Sequence, residues 1–274
     1  MILEKLAQLH FTPQQDFFRQ LNAEEKLQAL REMMDVSHRI VFFGGAGTST
    51  DCGIPDFRSK NGLYNTKDAQ FDAYQPEYLL SHDCLYHNPK VFFSFYRQKL
   101  DFRQANPVAF HHTLTEWEQN SKLSAIITQN IDGIHQKAGS RNVLEIHGSA
   151  QTCHCTKCNK EYTNEIIFES ESTIPRCIEC NGMIRPDITL YSESLPKQAY
   201  NKAFEAIESA DMLIVAGTSL QVEPAASMIW SFTGKFLIYI NREIPNNIPN
   251  YFDLIFELPI NQVFDKITKK ENNT

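Results

Sequence analysis

Four cysteines carry the strongest chemical signal in the chain. Cys155 and Cys158 are separated by two residues, and eighteen residues later Cys177 and Cys180 repeat that spacing. Two such turns present four thiolates to one tetrahedral Zn²⁺, and with sulfur at every position the metal keeps no place for water. The expectation is a structural ion that holds a fold together. Cys153 is a competing ligand, although the two-residue spacer favours Cys155. Cys52 and Cys84 read as small hydrophobes. Five of the seven cysteines fall between Cys153 and Cys180. The first residues show no continuous apolar run with a cleavage site, so this clustering points to metal before disulfides.

A second constellation is rich in glycine. Gly44-Gly45-Ala46-Gly47-Thr48-Ser49-Thr50 follows an apolar run. Small residues there let backbone N–H groups approach a pyrophosphate at a helix N-terminus, although a tight strand-to-helix turn uses the same residues. Thr50 stands where a dinucleotide fingerprint has its third glycine, and no Gly-Lys-Ser/Thr follows to make a triphosphate loop. Downstream lie Gly53-Ile54-Pro55-Asp56-Phe57-Arg58-Ser59, Thr128-Gln129-Asn130-Ile131-Asp132-Gly133, His147-Gly148, Gly217-Thr218-Ser219-Leu220 and Asn241-Arg242. The last two follow expected strands, where open parallel sheets bind their ligands.

Positioning these residues requires alternating strands and helices. Asn22 with Glu25 forms a capping-box pattern, and Leu27, Leu30 and Met34 recur at helical spacing over 23–36. Short apolar runs at 38–43, Leu123–Thr128, Val143–Ile146, Met212–Ala216, Phe236–Ile240 and Leu254–Leu258 read as strands. Asn88-Pro89 and Asn106-Pro107 read as helix starts. Phe110, Leu114 and Trp117 form one apolar face, as do Tyr200, Ala203, Phe204 and Ile207. The fold class expected is α/β, a Rossmann-like parallel sheet with helices on both faces. Residues 149–195 form a small inserted zinc-binding module, about 60–105 a helical insertion, and 1–35 an N-terminal helical extension. The sheet domain then comprises 36–148 and 196–265.

Composition narrows the classes further. The 274 residues are 42% hydrophobic and 22% charged, a globular balance, with a formal net charge of −7. That charge argues against nucleic acid as a partner and is compatible with basic peptides. No segment reaches the roughly 18 apolar residues of a membrane span. A cytoplasmic protein without a membrane partner is expected.

Taken in order, these motifs and the cysteine pairs resemble those of the sirtuins, NAD-dependent protein-lysine deacylases, over about residues 36–260. The resemblance implies NAD as cofactor and acylated lysine in a protein or peptide as substrate. It implies that Ala46, Gly47 and Thr50 line the phosphate and ribose region, and that Asp56, Phe57 and Arg58 close over the cofactor. Gln129, Asn130, Ile131 and Asp132 match the motif around nicotinamide and its ribose. Gly217, Thr218 and Ser219 match phosphate-side contacts, and Asn241 an adenosine-ribose contact. His147 matches the general base, with Asn130 and Asp132 as its catalytic companions.

In the implied reaction the acyl-lysine carbonyl oxygen attacks the ribose carbon bearing nicotinamide, which leaves, and an alkylimidate forms. His147 then helps a ribose hydroxyl attack the imidate carbon, and water completes transfer to O-acyl-ADP-ribose. An imidazole of ordinary pKa, about 6.5, is largely neutral at pH 7 and can take that proton. Support for a strand end is the other reading of His147. Protein ADP-ribosyl transfer from the same site is the alternative activity. A dehydrogenase would call for the complete glycine fingerprint, and a silent NAD-binding module would be expected to lack His147 or Asn130.

The chain also departs from the family pattern. Where Phe-Gly-Glu is usual after the second cysteine pair, it reads Tyr191-Ser192-Glu193, and Thr189 replaces a common valine. A substrate peptide would add there as a β-strand, bordered by Thr189, Ser192, Glu193 and Val222. Some sirtuins use Tyr-x-x-Arg to hold acidic acyl groups. Phe95 and Gln98 occupy those places here, beside Tyr96 and Arg97, which favours acetyl or longer uncharged groups.

Overall fold

The computed structural model describes residues 1–7, 14–57, 59, 62–65, 68–246, 248 and 251–268. Its strands are β1 (Ile40–Gly44), β2 (Leu123–Thr128), β3 (Val143–Glu145), β4 (Gly148–Cys155), β5 (Glu161–Thr163), β6 (Ile184–Ile188), β7 (Met212–Ala216), β8 (Phe236–Asn241) and β9 (Leu254–Glu257). Six of them make one parallel sheet in the order β3-β2-β1-β7-β8-β9. Chain order reverses between β1 and β7, the topological switch point of a Rossmann-type sheet. β5, β4 and β6 form a separate antiparallel sheet of three strands.

The central strands are apolar throughout because both of their faces are covered. Every residue of β1 and β7 is buried. On one face Ile40, Phe42, Ile214 and Ile238 pack against the helices Ala23–Val36, Ala109–Gln119 and Ile260–Thr268. On the other face Val41, Phe43, Val215 and Tyr239 meet the helix Lys197–Ser209 and the 3₁₀ segment Ala226–Ser231. The expected capping box is present, with Asn22 accepting from the Glu25 N–H and Glu25 accepting from the Asn22 N–H. The helix expected at Asn106-Pro107 begins later, at Ala109, because the His111 ring takes the Val108 N–H at 3.3 Å.

The helical segment after residue 60 consists of Pro76–Leu79, His82–His87 and Pro89–Lys99. Its Phe92, Phe93 and Tyr96 share one apolar cluster with Cys153, Ile167 and Ile184 of the small sheet region. At the N-terminus, the Glu32 carboxylate accepts the Ile2 and Leu3 N–H groups at 3.0 and 2.9 Å, and Ile2 and Phe18 join the main core. No helix among the described residues is long and apolar enough to cross a membrane.

Candidate active site

A cleft of about 820 Å³ opens over the C-terminal ends of β1, β2, β7 and β8 and reaches the turn after β6. It is of a size that holds a small-molecule cofactor. The turn after β1 forms its floor. The expected helix N-terminus is replaced there by two 3₁₀ turns, Ala46–Thr48 and Thr50–Cys52, because Gly53 at φ +84° and then Pro55 end the segment. The Gly47 N–H donates to the Gly217 carbonyl at 2.8 Å, lacing this turn to the one after β7. A Cβ on Gly47 would stand 2.8 Å from the Gly217 Cα, so close packing of two turns requires this glycine. Ala46, Gly47, Thr50, Gly217, Thr218 and Ser219 all line the cleft.

A buried relay of hydrogen bonds crosses the floor. The Asn130 amide donates to Thr48 Oγ1 at 3.0 Å and to Ser49 Oγ at 2.9 Å. Ser49 in turn donates to Asp132 Oδ2 at 2.7 Å, while Asp132 Oδ1 accepts the Ile134 N–H at 2.9 Å. Burial pushes the Asp132 carboxyl above its usual range, against the opposing pull of these bonds. Thr48 and Ser49 are functional candidates that sequence reasoning left unassigned. Their signal was two hydroxyls in a glycine turn, with an amide and a carboxylate waiting on a neighbouring strand end.

Gln129 works in two directions. Its side-chain amide donates to Thr218 Oγ1 at 3.1 Å, and its carbonyl lies 2.8 Å from His147 Nδ1. A carbonyl only accepts, so Nδ1 carries the proton and Nε2 keeps its lone pair. Burial pushes the His147 pKa below the ordinary imidazole value, although the Gln129 bond pulls upward. Next to it Ile131 lines the cleft. At the far end the Asn241 amide donates to Tyr239 Oη at 3.2 Å and to the Glu243 carbonyl at 2.8 Å. Tyr239 donates onward to the Thr218 carbonyl at 2.6 Å. Small residues at the turns, with hydroxyls and amides between them, suit the phosphates and sugars of a dinucleotide.

The opposite wall carries Thr189, Ser192, Glu193 and Val222. Ser192 takes φ +70°, the left-handed region in which glycine is the easier residue. Glu193 binds Arg185 through both oxygens, at 2.7 and 2.9 Å, and also accepts the Leu190 N–H. Its carboxylate therefore shapes the turn. Asp56 and Phe57 line the cleft, and Asp56 accepts the Ser59 N–H at 2.8 Å. Arg58 lies outside the described residues. Of the helical positions, Phe95 is buried, Gln98 donates to Gln70, and Arg97 holds the carbonyls of Ile167, Ser172 and Thr173. None of these side chains reaches the cleft.

The thiols of Cys155, Cys158, Cys177 and Cys180 lie within 4.8 Å of one another. Cys155 and Cys180 are 3.4 Å apart, and Cys158 and Cys177 3.6 Å. A tetrahedral zinc with Zn–S bonds of about 2.3 Å places its sulfurs about 3.8 Å apart, so the cluster fits that ion. Tyr162 Oη stands 3.0 Å from Cys177 Sγ, able to donate to a thiolate. Cys153 is not part of the cluster, since its thiol donates to the Thr163 carbonyl at 3.1 Å.

A Rossmann-type sheet with a cleft at its switch point, joined to a four-thiol module, defines a dinucleotide-dependent α/β protein with a structural metal site. More narrowly, this chain belongs to the Sir2 family, whose sequence profile matches residues 45–224. An NAD-dependent protein deacetylase of Clostridium acetobutylicum is 46% identical over 243 residues, which cover 89% of this chain and 98% of that one. One of Cutibacterium acnes is 49% identical over 217 residues, 79% of this chain and 87% of that one. A solved Sir2 structure described with a deacetylated p53 peptide and 3'-O-acetyl ADP-ribose superposes with a TM-score of 0.80 at 32% identity. It covers 88% of this chain and 97% of its own.

Proposed function

We propose that this protein is an NAD-dependent protein-lysine deacylase that moves the acyl group from lysine to ADP-ribose and releases nicotinamide. The observation that carries this reading is His147. Its Nδ1–H is held by Gln129, and its Nε2 is free to take a proton in the same cleft as the Asn130–Ser49–Asp132 relay. The relatives and solved neighbours, deacetylases among them, support the same reaction.

When bound, NAD supplies a ribose carbon whose nicotinamide is a ready leaving group. The protein's own residues have four tasks. Asn130 and Asp132, fixed by Thr48 and Ser49, orient polar groups at the reacting end. Phe57 and Ile131 cover that end and exclude water. Gly47, Thr218, Ser219 and Asn241 hold the phosphate and adenosine portion. His147 Nε2 accepts a proton from a ribose hydroxyl.

Thr189 and Ser192 offer backbone for a peptide to pair as an extra strand. The acyl end is walled by Leu80, Phe102, Leu190 and Tyr191, and Arg97 is engaged elsewhere, which supports acetyl or longer uncharged acyl groups as substrates. Zinc in the thiolate cluster would hold residues 149–195 as a unit, and four reduced thiolates suit a cytoplasmic setting.

Incubation with NAD and an acetyl-lysine peptide, followed by mass spectrometry, tests the proposal. O-acetyl-ADP-ribose and free lysine peptide should appear in equal amounts. ADP-ribose attached to protein, with no O-acetyl-ADP-ribose, would overturn it in favour of ADP-ribosyl transfer.

A further inference from the structure

We infer that Tyr191 is a positioning residue for Phe57, acting through Tyr64, so that binding at the peptide wall of the cleft and binding at its cofactor side are coupled. The inference rests on the deacylase reading. Tyr191 stands where the family resemblance leads one to expect phenylalanine, and the added hydroxyl has a partner. Tyr64 Oη donates to Tyr191 Oη at 3.0 Å, and both residues line the cleft.

The two phenols belong to very different supports. Tyr191 is pinned by its backbone, its N–H donating to the Leu80 carbonyl at 3.0 Å and its carbonyl accepting the His82 N–H at 3.1 Å. Two residues on, Glu193 is clamped by both guanidinium nitrogens of Arg185, with each of these side chains less than a fifth exposed. Tyr64 rides on the loop that carries the cofactor-side residues. Its N–H donates to the Phe57 carbonyl at 3.0 Å, Leu63 N–H donates to the Asp56 carbonyl at 2.8 Å, and the Tyr64 ring lies 5.3 Å from that of Phe57. Tyr191 is therefore the better-anchored post, and Phe57 is tied to it through Tyr64.

A peptide strand that pairs with the turn at Thr189–Ser192 sets the placement of the Tyr191 side chain, and a cofactor beneath Phe57 sets that of Phe57 and Tyr64. A bond joining post and loop couples the two ligands, and by linkage each must tighten the other by the same factor. One hydrogen bond between uncharged groups is worth about two- to tenfold in such an equilibrium.

Calorimetry with ADP-ribose and an acetyl-lysine peptide measures this directly, because ADP-ribose carries no nicotinamide and the ternary complex cannot turn over. The affinity for ADP-ribose is compared with and without saturating peptide in the wild type, Tyr191→Phe, Tyr64→Phe and the double variant. Both substitutions keep the ring and remove only the hydroxyl. The wild type should show peptide-dependent tightening, each single variant should lose about two- to tenfold of it, and the double variant should lose no more than either single. Equal tightening in the wild type and Tyr191→Phe, additive losses in the double variant, or two ligands that bind the wild type without affecting each other would overturn the inference alone. A wild type that binds neither ligand would overturn the deacylase reading and this inference with it.

Discussion

At His147 one hydrogen bond decides which ring nitrogen is basic. Because the Gln129 carbonyl can only accept, the imidazole proton sits on Nδ1, and Nε2 is left as the basic atom. His147→Ala removes that atom and should lower deacylation by about 10²–10⁴-fold, with NAD affinity and thermal midpoint unchanged. Initial rates, calorimetry and a melting curve on one preparation check all three, and a folded variant with near-normal turnover would refute the role. Burial also lowers the His147 pKa. The neutral, proton-accepting form then persists to lower pH than in a free imidazole. The acidic limb of the kcat/KM profile should accordingly fall below the ordinary value of about 6.5. At this scale the sequence was informative where a motif has rare residue types in order, as in Gln129-Asn130-Ile131-Asp132 before His147-Gly148. It was silent on Thr48 and Ser49, because hydroxyls in a turn have many uses and only the fold brings Asn130 to them.

The thiol module makes the corresponding case for elements. Cysteine spacing announced the four ligands, since few structures need paired two-residue spacers, and the thiols do converge. What the spacing could not disclose was the support behind them. Tyr162 reaches Cys177 at 3.0 Å from β5, a strand that pairs with β4 and not with the cysteine turns. Tyr162→Phe should weaken zinc affinity by about 10–100-fold, the usual effect of removing a partner of a ligand, and leave the apolar packing in place. A chelator competition followed by a zinc-sensitive dye reads this without any activity assay, and unchanged zinc retention would remove Tyr162 from the account. Cys177→Ala should go further and lower soluble yield, because ligand binding contributes directly to folding here. The helical insertion was legible as aromatic and helical, yet its union with the module in one core was not. Phe92 and Tyr96 meet Cys153, Ile167 and Ile184 only through tertiary packing between segments remote in sequence. The same limit explains the turn after β1, where local glycine content suggested a helix N-terminus and Gly53 with Pro55 instead ends two 3₁₀ turns.

Across the whole molecule, the alternation of apolar strands and amphipathic helices was enough to identify a parallel sheet covered on both faces, because a strand buried on both sides shows no polar alternation. The interior polar groups were less legible, and two of them bear on how the fold responds to acid. His111 and His135 are essentially inaccessible, their rings 5.0 Å apart and packed against Phe42 and Phe110. Both nitrogens of His135 lack a hydrogen-bond partner among the described residues, and burial lowers its pKa to about 4. His111 is lowered further, by burial first and then by its proximity to His135. As pH falls through about 6.5, the unfolded chain takes up protons on both imidazoles and the folded chain does not. The native state therefore loses stability on acidification, by about 1.4 kcal/mol per pH unit for each such histidine, until the folded pKa is reached. His135→Leu, which fills the aromatic pocket with apolar volume, should remove one share of that slope. Urea denaturation of wild type and variant at intervals from pH 7 to about pH 4.5 would show the stability curves diverging as pH falls, with the variant the less acid-sensitive. Parallel curves over that window would mean that His135 is protonated in the folded protein, and that the pocket is not the apolar environment its neighbours describe.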